Sequence, residues 1–212
     1  MEPNLYAPPT AAVTQPAGPA DRGNEFFIVS ARKFCILFFA TFGLYHLYWS
    51  YMHWARYRAA SGEYLWPVAR TLLSIFYTHA LTARIDGVLR KAGRGHAWAP
   101  GAMATLYVIA SIGNAVLDRL SSRGVGSPYT DVLGVLALLP VGWSLLQIQR
   151  AANAACGDPR GESNARLTPA NYAWIALGAV LWVLILLGIA VAFGFGEINS
   201  VEMAIPQSAL TP

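Results

Sequence analysis

The sequence predicts an all-α fold, a polytopic helical membrane bundle with four transmembrane helices and one further segment of ambiguous placement. Of its 212 residues, 55% are hydrophobic and only 12% are charged, whereas a soluble domain carries about 25% charged residues. The mean hydropathy is +0.41. Long runs without Asp, Glu, Lys or Arg recur along the chain, and they lack the period-two alternation of barrel strands. Together these observations exclude a water-soluble globule and a disordered chain.

The first 25 residues predict a disordered tail. Proline recurs there among alanine, threonine, glutamine and glycine, and no basic residue precedes Arg22. The tail has no apolar stretch of the kind that a cleaved signal peptide needs. We therefore expect a helical transmembrane domain over residues 26–196 and a polar C-terminal tail over residues 197–212.

Four charge-free stretches predict the membrane spans. A bilayer core about 30 Å thick requires roughly 20 apolar residues of helix, and in lipid only helices or closed barrels pair every backbone group. The predicted spans are residues 34–54, 100–117, 132–149 and 172–195. Thr168 followed by Pro169 predicts the start of the last of these helices, as N-cap and first helical residue.

Residues 67–90 form the ambiguous segment. Its charge-free core between Arg70 and Arg84 has 13 residues, which span about 20 Å as a helix and fall short of the bilayer core. Thr71, Ser74, Thr78 and Thr82 recur at helical spacing. The pattern fits either an amphipathic helix in the membrane interface or a short span with its polar face toward the bundle.

The positive-inside rule fixes part of the topology. Whether residues 67–90 span or not, ten of the 15 basic residues fall inside. Both topologies place loops 84–98 and 150–170 in the cytoplasm, and loop 118–131 and the C-terminal tail on the other side. The side of the N-terminus stays open.

Aromatic side chains crowd the end of the first predicted span. Tyrosine and tryptophan collect at the headgroup level of membranes, so an interfacial belt is the first interpretation. The alternative is an aromatic and basic site for lipid headgroups or a partner helix, because Arg56 and Arg58 lie at the end of the run. The aromatic and histidine residues concerned are Tyr45, His46, Tyr48, Trp49, Tyr51, His53, Trp54 and Tyr57.

The last predicted span carries a stripe of small residues. Gly188, Ala192 and Gly196 are spaced by four, which places them on one helix face and lets another helix approach closely. We expect this face to pack helices, either within the bundle or between two copies of the chain.

No catalytic or metal-binding motif is present. The sequence lacks G-x-S-x-G, H-E-x-x-H, a Walker loop and paired C-x-x-C cysteines, so we expect neither an enzyme nor a bound cofactor or metal. His46 and His53 are seven residues apart, about 10.5 Å along a helix, and cannot share one ion. The small basic surplus fits a topology signal better than a nucleic-acid partner.

Residues 26–49 read FFIVSARKFCILFFATFGLYHLYW. This stretch resembles a family of bacterial inner-membrane proteins of unknown function, whose signature is F-[FY]-x-V-S, a Lys-Phe pair and T-F-G-[LI]-Y-x-x-Y-W. Shorter pieces around Arg70, before Asn153 and before Asn171 are similar to the same family. The signature residues, whose role is unknown, are Ser30, Lys33, Thr41, Gly43, Tyr45, Tyr48, Trp49, Arg70, Asn153 and Asn171. The resemblance implies a helical protein of the bacterial inner membrane and no activity.

Two functions remain open after the sequence is read. The leading hypothesis is a non-enzymatic integral membrane protein that interacts with membrane lipid, with a membrane-protein partner or with a second copy of itself. The alternative is a small transporter or permeation protein. It rests on Pro140, which should kink its helix, on Asn114 and on the polar face of residues 67–90.

Overall fold

The computed structural model describes residues 23–195 and confirms the all-α class, with no strand in that range. The predicted C-terminal tail, Gly196 and most of the predicted disordered tail lie outside the described residues. The helices are α1 (Ala31–Ala40), α2 (Tyr45–Ser61), α3 (Pro67–Leu72), α4 (Ser74–Lys91), α5 (Pro100–Ser121), α6 (Tyr129–Leu136), α7 (Leu138–Ala155) and α8 (Pro169–Ala192), with a 3-10 turn at Glu162–Asn164.

Three helical units in the described range are long and apolar enough to cross a membrane. They are α5, the joined pair α6 and α7, and α8, with 22, 27 and 24 residues. At 1.5 Å per residue each exceeds the roughly 30 Å of a bilayer core. They contain most or all of the predicted spans 100–117, 132–149 and 172–195, and α7 and α8 pack around α1 while α4 packs on α5.

The predicted span over residues 34–54 is wrong, because the chain reverses in its middle. The ring of Phe34 in α1 lies 6.0 Å from the Tyr45 ring and 6.1 Å from the Trp49 ring. Further out, Phe26 stacks on Tyr57 at 5.7 Å. Residues that precede α1 therefore meet the far end of α2, and the two helices form a hairpin.

The reversal follows from the backbone of residues 41–44. Phe42 and Gly43 both have positive φ, 51° and 81°, and the Gly43 amide donates to the Phe38 carbonyl at 2.8 Å. This is the closure of a Schellman motif, which ends a helix through a left-handed residue. The Thr41 hydroxyl donates to the Leu37 carbonyl and accepts from the Tyr45 amide, at 2.7 and 2.9 Å, so one side chain joins both helices.

The ambiguous segment forms α3 and α4, separated by a break at Leu73, and neither is long and apolar enough to span. Its threonine face points into the protein, since Thr71, Thr78 and Thr82 are buried, whereas Leu72 and Phe76 are exposed. The polar face therefore turns toward the bundle, as the short-span interpretation expected, but the segment does not have the length and apolarity of a span.

Helix α8 packs on the rest of the described chain mainly through its contact with α1. A Cβ at Gly178 would overlap the carbonyl of Ala40, and the Trp182 indole donates to the Phe39 carbonyl at 2.8 Å. By contrast, a Cβ at Gly188 would meet no atom within 4 Å, and Ala192 is exposed. The predicted small-residue face therefore turns away from the described chain, and its packing role stays a prediction.

We expect Gly178→Ala to lower the free energy of unfolding by about 1–3 kcal/mol, because an overpacked helix contact forces the backbones apart. Thermal unfolding in detergent measures it. Gly188→Ala is the matched control on the same helix, and it should cause no loss because its surroundings are open. Equal effects of the two substitutions would contradict the α1–α8 contact.

Candidate functional site

The centre of the described structure is a buried extended segment, residues 26–29. Side chains from α7 and from the loop that follows it hold this segment by hydrogen bonds, and we call these side chains the clamp. The segment's four consecutive carbonyls each accept a hydrogen bond from a different side chain. Cys156 donates to Phe26 at 3.7 Å, Gln149 to Phe27 at 2.9 Å, Asn164 to Ile28 at 2.8 Å and Asn153 to Val29 at 2.8 Å. Since buried carbonyls must be paired, these side chains stand in for a neighbouring strand.

Two amides on α7 carry most of this network. Asn153 pairs both backbone groups of Val29, accepting from its amide at 3.2 Å as well as donating to its carbonyl. Gln149, one turn earlier, donates to Asn153 at 2.7 Å and accepts from the Trp49 indole. Both amide side chains are buried, with exposures of 0% and 1%, so the network is shielded from water.

His53 completes the network from α2. Its Nε2 lies 3.1 Å from Oε1 of Gln149, and because the nitrogen of that amide already donates to Phe27 and Asn153, Oε1 is an acceptor. His53 therefore carries its proton on Nε2. Its Nδ1 is buried and has no hydrogen-bond partner in the part of the chain that the structure describes.

Lys33 ties the start of α1 to the loop before α8. Its ammonium donates to the Asn164 side chain and to the Arg166 carbonyl, both at 2.7 Å, while Ser30 caps the helix by accepting from the Lys33 amide. Gly161 makes the close approach possible, since its φ is +67° and a Cβ there would lie 2.6 Å from the Val29 carbonyl. The loop is thus held on the clamped segment.

The structure brings four signature residues together, Ser30, Lys33, Trp49 and Asn153, all around residues 26–29. Three more, Thr41, Gly43 and Tyr45, form the hairpin turn. Of the other three, Tyr48 packs against the Phe27 ring of the same segment, whereas Arg70 lies over Trp54 at 4.4 Å and Asn171 completes a capping box with Thr168.

Sequence reasoning missed part of the clamp. Asn164 was not singled out at all, and the four-residue spacing of Gln149 and Asn153 on one helix face is the signal that could have joined those two. The aromatic run as a whole is not an interfacial belt, because Tyr45, Trp49, His53 and Trp54 are buried in the core.

A basic groove lies beside the clamp, between α1 and α8. Its cavity has a volume of about 450 Å³ and is lined by Arg32, Lys33, Ile36, Ala165, Arg166, Leu167 and Tyr172. The ion pairs found in residues 23–195 are Arg84–Glu63, Arg90–Asp86 and Arg160–Glu162, so no described carboxylate neutralises the three groove cations. Burial also lowers the pKa of Lys33.

A second cavity, of about 300 Å³, lies under the hairpin turn. Its polar lining comes from His46 of α2 and from Tyr107, Ser111 and Asn114 of α5. The Tyr107 hydroxyl lies 3.2 Å from Nε2 of His46, and the side-chain oxygen of Asn114 is buried without a partner among the described residues. Apolar residues of α1 and α7 close the other walls.

We expect Asn153→Ala to lower the free energy of unfolding by about 2–6 kcal/mol, because two buried backbone groups of Val29 each lose a partner at about 1–3 kcal/mol. Trypsin should then cut after the exposed Arg32, because the start of α1 is no longer held folded by the neighbouring segment. Gln147→Ala is the control, an amide on the same helix without a hydrogen bond to a described residue. Unchanged proteolysis of Asn153→Ala would contradict the clamp.

Comparison of the chain with protein-family models, with curated proteins and with solved structures found no match. The resemblance of residues 26–49 to a family of bacterial inner-membrane proteins therefore stays a prediction.

Proposed function

We propose that this protein is a non-enzymatic integral membrane protein of the bacterial inner membrane that engages anionic phospholipid through its cytoplasmic face. The observation that carries the proposal is a charge asymmetry. If α5, α6 with α7, and α8 are the spans, thirteen of the 15 basic residues fall on one side and only Arg119 and Arg123 on the other. The positive-inside rule makes the basic side cytoplasmic.

The hairpin supports this orientation because it keeps residues 23–99 on one side. Helix α1 has ten residues, about 15 Å, or half of a bilayer core. Its end meets Gly178 and Trp182, near the middle of the 24-residue α8. We infer a re-entrant hairpin that enters from the basic side, turns at mid-depth and returns. Irregular backbone is tolerated at that depth where protein covers it.

Anionic lipid follows from the charge of that face. The negative surface potential of a cytoplasmic leaflet attracts basic residues near the membrane by about 1 kcal/mol each. Arg32, Lys33 and Arg166 meet at one groove. Lipid is thus the partner that the described surface favours over an unidentified protein.

We expect anionic phospholipids to be enriched around the protein when it is extracted in native-lipid nanodiscs and its lipids are measured by mass spectrometry. The control is Arg119→Gln with Arg123→Gln, which removes charge from the opposite face and should leave the enrichment unchanged. A nanodisc lipid composition equal to that of the bulk membrane would overturn the proposal. A protein that co-purifies at a fixed stoichiometry would identify that protein, and not lipid, as the partner.

The re-entrant hairpin predicts that Asn24 and Ser61 face the same compartment. Single cysteines at these positions and at Ser127, in a Cys35→Ala, Cys156→Ser background, are treated with a membrane-impermeant maleimide. We expect Ser127→Cys to react in intact cells, and Asn24→Cys and Ser61→Cys only after permeabilisation. Labelling of Asn24→Cys and Ser61→Cys from opposite sides would restore a spanning helix over residues 34–54.

A second candidate function, passage of a small polar solute, is favoured by the cavity under the hairpin turn. Its polar groups lie on the α5 face toward α1 and α7, whereas the polar side chain of Ser144 in α7 is buried and donates to the Val141 carbonyl. The same maleimide labelling tests this candidate. A water-filled cavity should make Asn114→Cys reactive, whereas Ile112→Cys, which faces outward, should stay unreactive. An unreactive Asn114→Cys removes this candidate.

A further inference from the structure

We propose that the groove between α1 and α8 is a binding site for the phosphate group of an anionic phospholipid, held by Arg32, Lys33 and Arg166. The inference rests on the membrane placement proposed above and names the site within that face. The groove of about 450 Å³ is large enough for a headgroup.

The arrangement of the three cations fits a phosphate. Arg32 and Arg166 are exposed, and a guanidinium presents paired N–H donors that match phosphate oxygens bidentately. Lys33 is held in place, since two of its three ammonium protons go to Asn164 and the Arg166 carbonyl. One proton remains for a ligand. Two arginines and one immobilised ammonium thus line the same groove.

The groove concentrates positive charge. Arg32 and Lys33 lie in the first turn of α1, which contains no acidic residue, so both add to the positive end of the helix dipole. No carboxylate of residues 23–195 forms an ion pair with them. An anion in the groove relieves the repulsion of three like charges and of the helix end together.

The apolar lining favours a lipid over a soluble phosphate. Ile36, Leu167 and Tyr172 line the same groove as the cations, and Val183, eleven residues beyond Tyr172 and on the same face of α8, is apolar and exposed. A tyrosine at this level is typical of the headgroup region. A lipid can place its phosphate on the cations and its acyl chains along α8. A free phosphate would leave that apolar surface of α8 uncovered.

The test is lipid binding by native mass spectrometry, in which the purified full chain in detergent is titrated with phosphatidylglycerol or with phosphatidylcholine. We expect Arg32→Gln with Arg166→Gln to weaken phosphatidylglycerol binding about thirtyfold, from about 1 kcal/mol per basic residue near the headgroups. The matched control is Arg90→Gln with Arg160→Gln. It removes two charges from the same face, each of them paired with an acid, and should weaken binding less than about threefold.

Further comparisons distinguish the ways in which the proposal could fail. Arg32→Lys with Arg166→Lys keeps the charge but loses the paired donors, so an intermediate loss supports phosphate coordination. If Arg32→Gln with Arg166→Gln weakens phosphatidylglycerol binding no more than its control does, the groove is not the binding site. The proposed lipid function would still stand. Equal binding of both lipids by the unaltered protein overturns the function as well. Displacement of phosphatidylglycerol by inorganic phosphate overturns the lipid as the source of the phosphate.

Discussion

The pairing of two α7 amides with an extended stretch of backbone is the constraint on which the rest of the described structure depends. Gln149 and Asn153 replace the hydrogen bonds that Phe27 and Val29 would otherwise make with water. In a low-dielectric interior an unpaired polar group is costly and a fully paired network is rigid. Because Trp49 and His53 bond to the same Gln149 oxygen, the network fixes α2 on α7 as well as the segment itself.

The apolar run over residues 34–54 is long enough for one spanning helix, yet the chain forms a hairpin there. The hydrogen-bond network explains why. With residues 26–29 held against α7 and Trp49 bound to the same helix, α1 and α2 must return to one another. The turn then requires positive φ at Phe42 and Gly43. In the membrane placement proposed above, this reversal keeps the basic residues before α5 on one side.

Three of the four predicted spans coincide with helical units that are long and apolar enough to cross a membrane, because helix is the simplest way for a charge-free run to pair its backbone groups in lipid. The run over residues 34–54 allows two structures, since length and hydropathy do not distinguish a straight helix from two half-length helices. The distinguishing signal was local, a Thr-Phe-Gly sequence inside the run, but a left-handed phenylalanine is not expected from its residue type. The clamp was harder to predict, because its partners are separated by more than 120 residues and no local pattern links them.

The length of that separation governs when the clamp can form. Val29 leaves the ribosome 124 residues before Asn153, and at 5–20 residues per second this interval is roughly 6–25 s. For that time the backbone of residues 26–29 lacks the side chains that pair it, and the adjoining α1 also waits for α7 and α8. The earliest buried segment of the described chain is thus among the last to reach its final contacts, and the hairpin stays unanchored until α7 and the loop after it are complete.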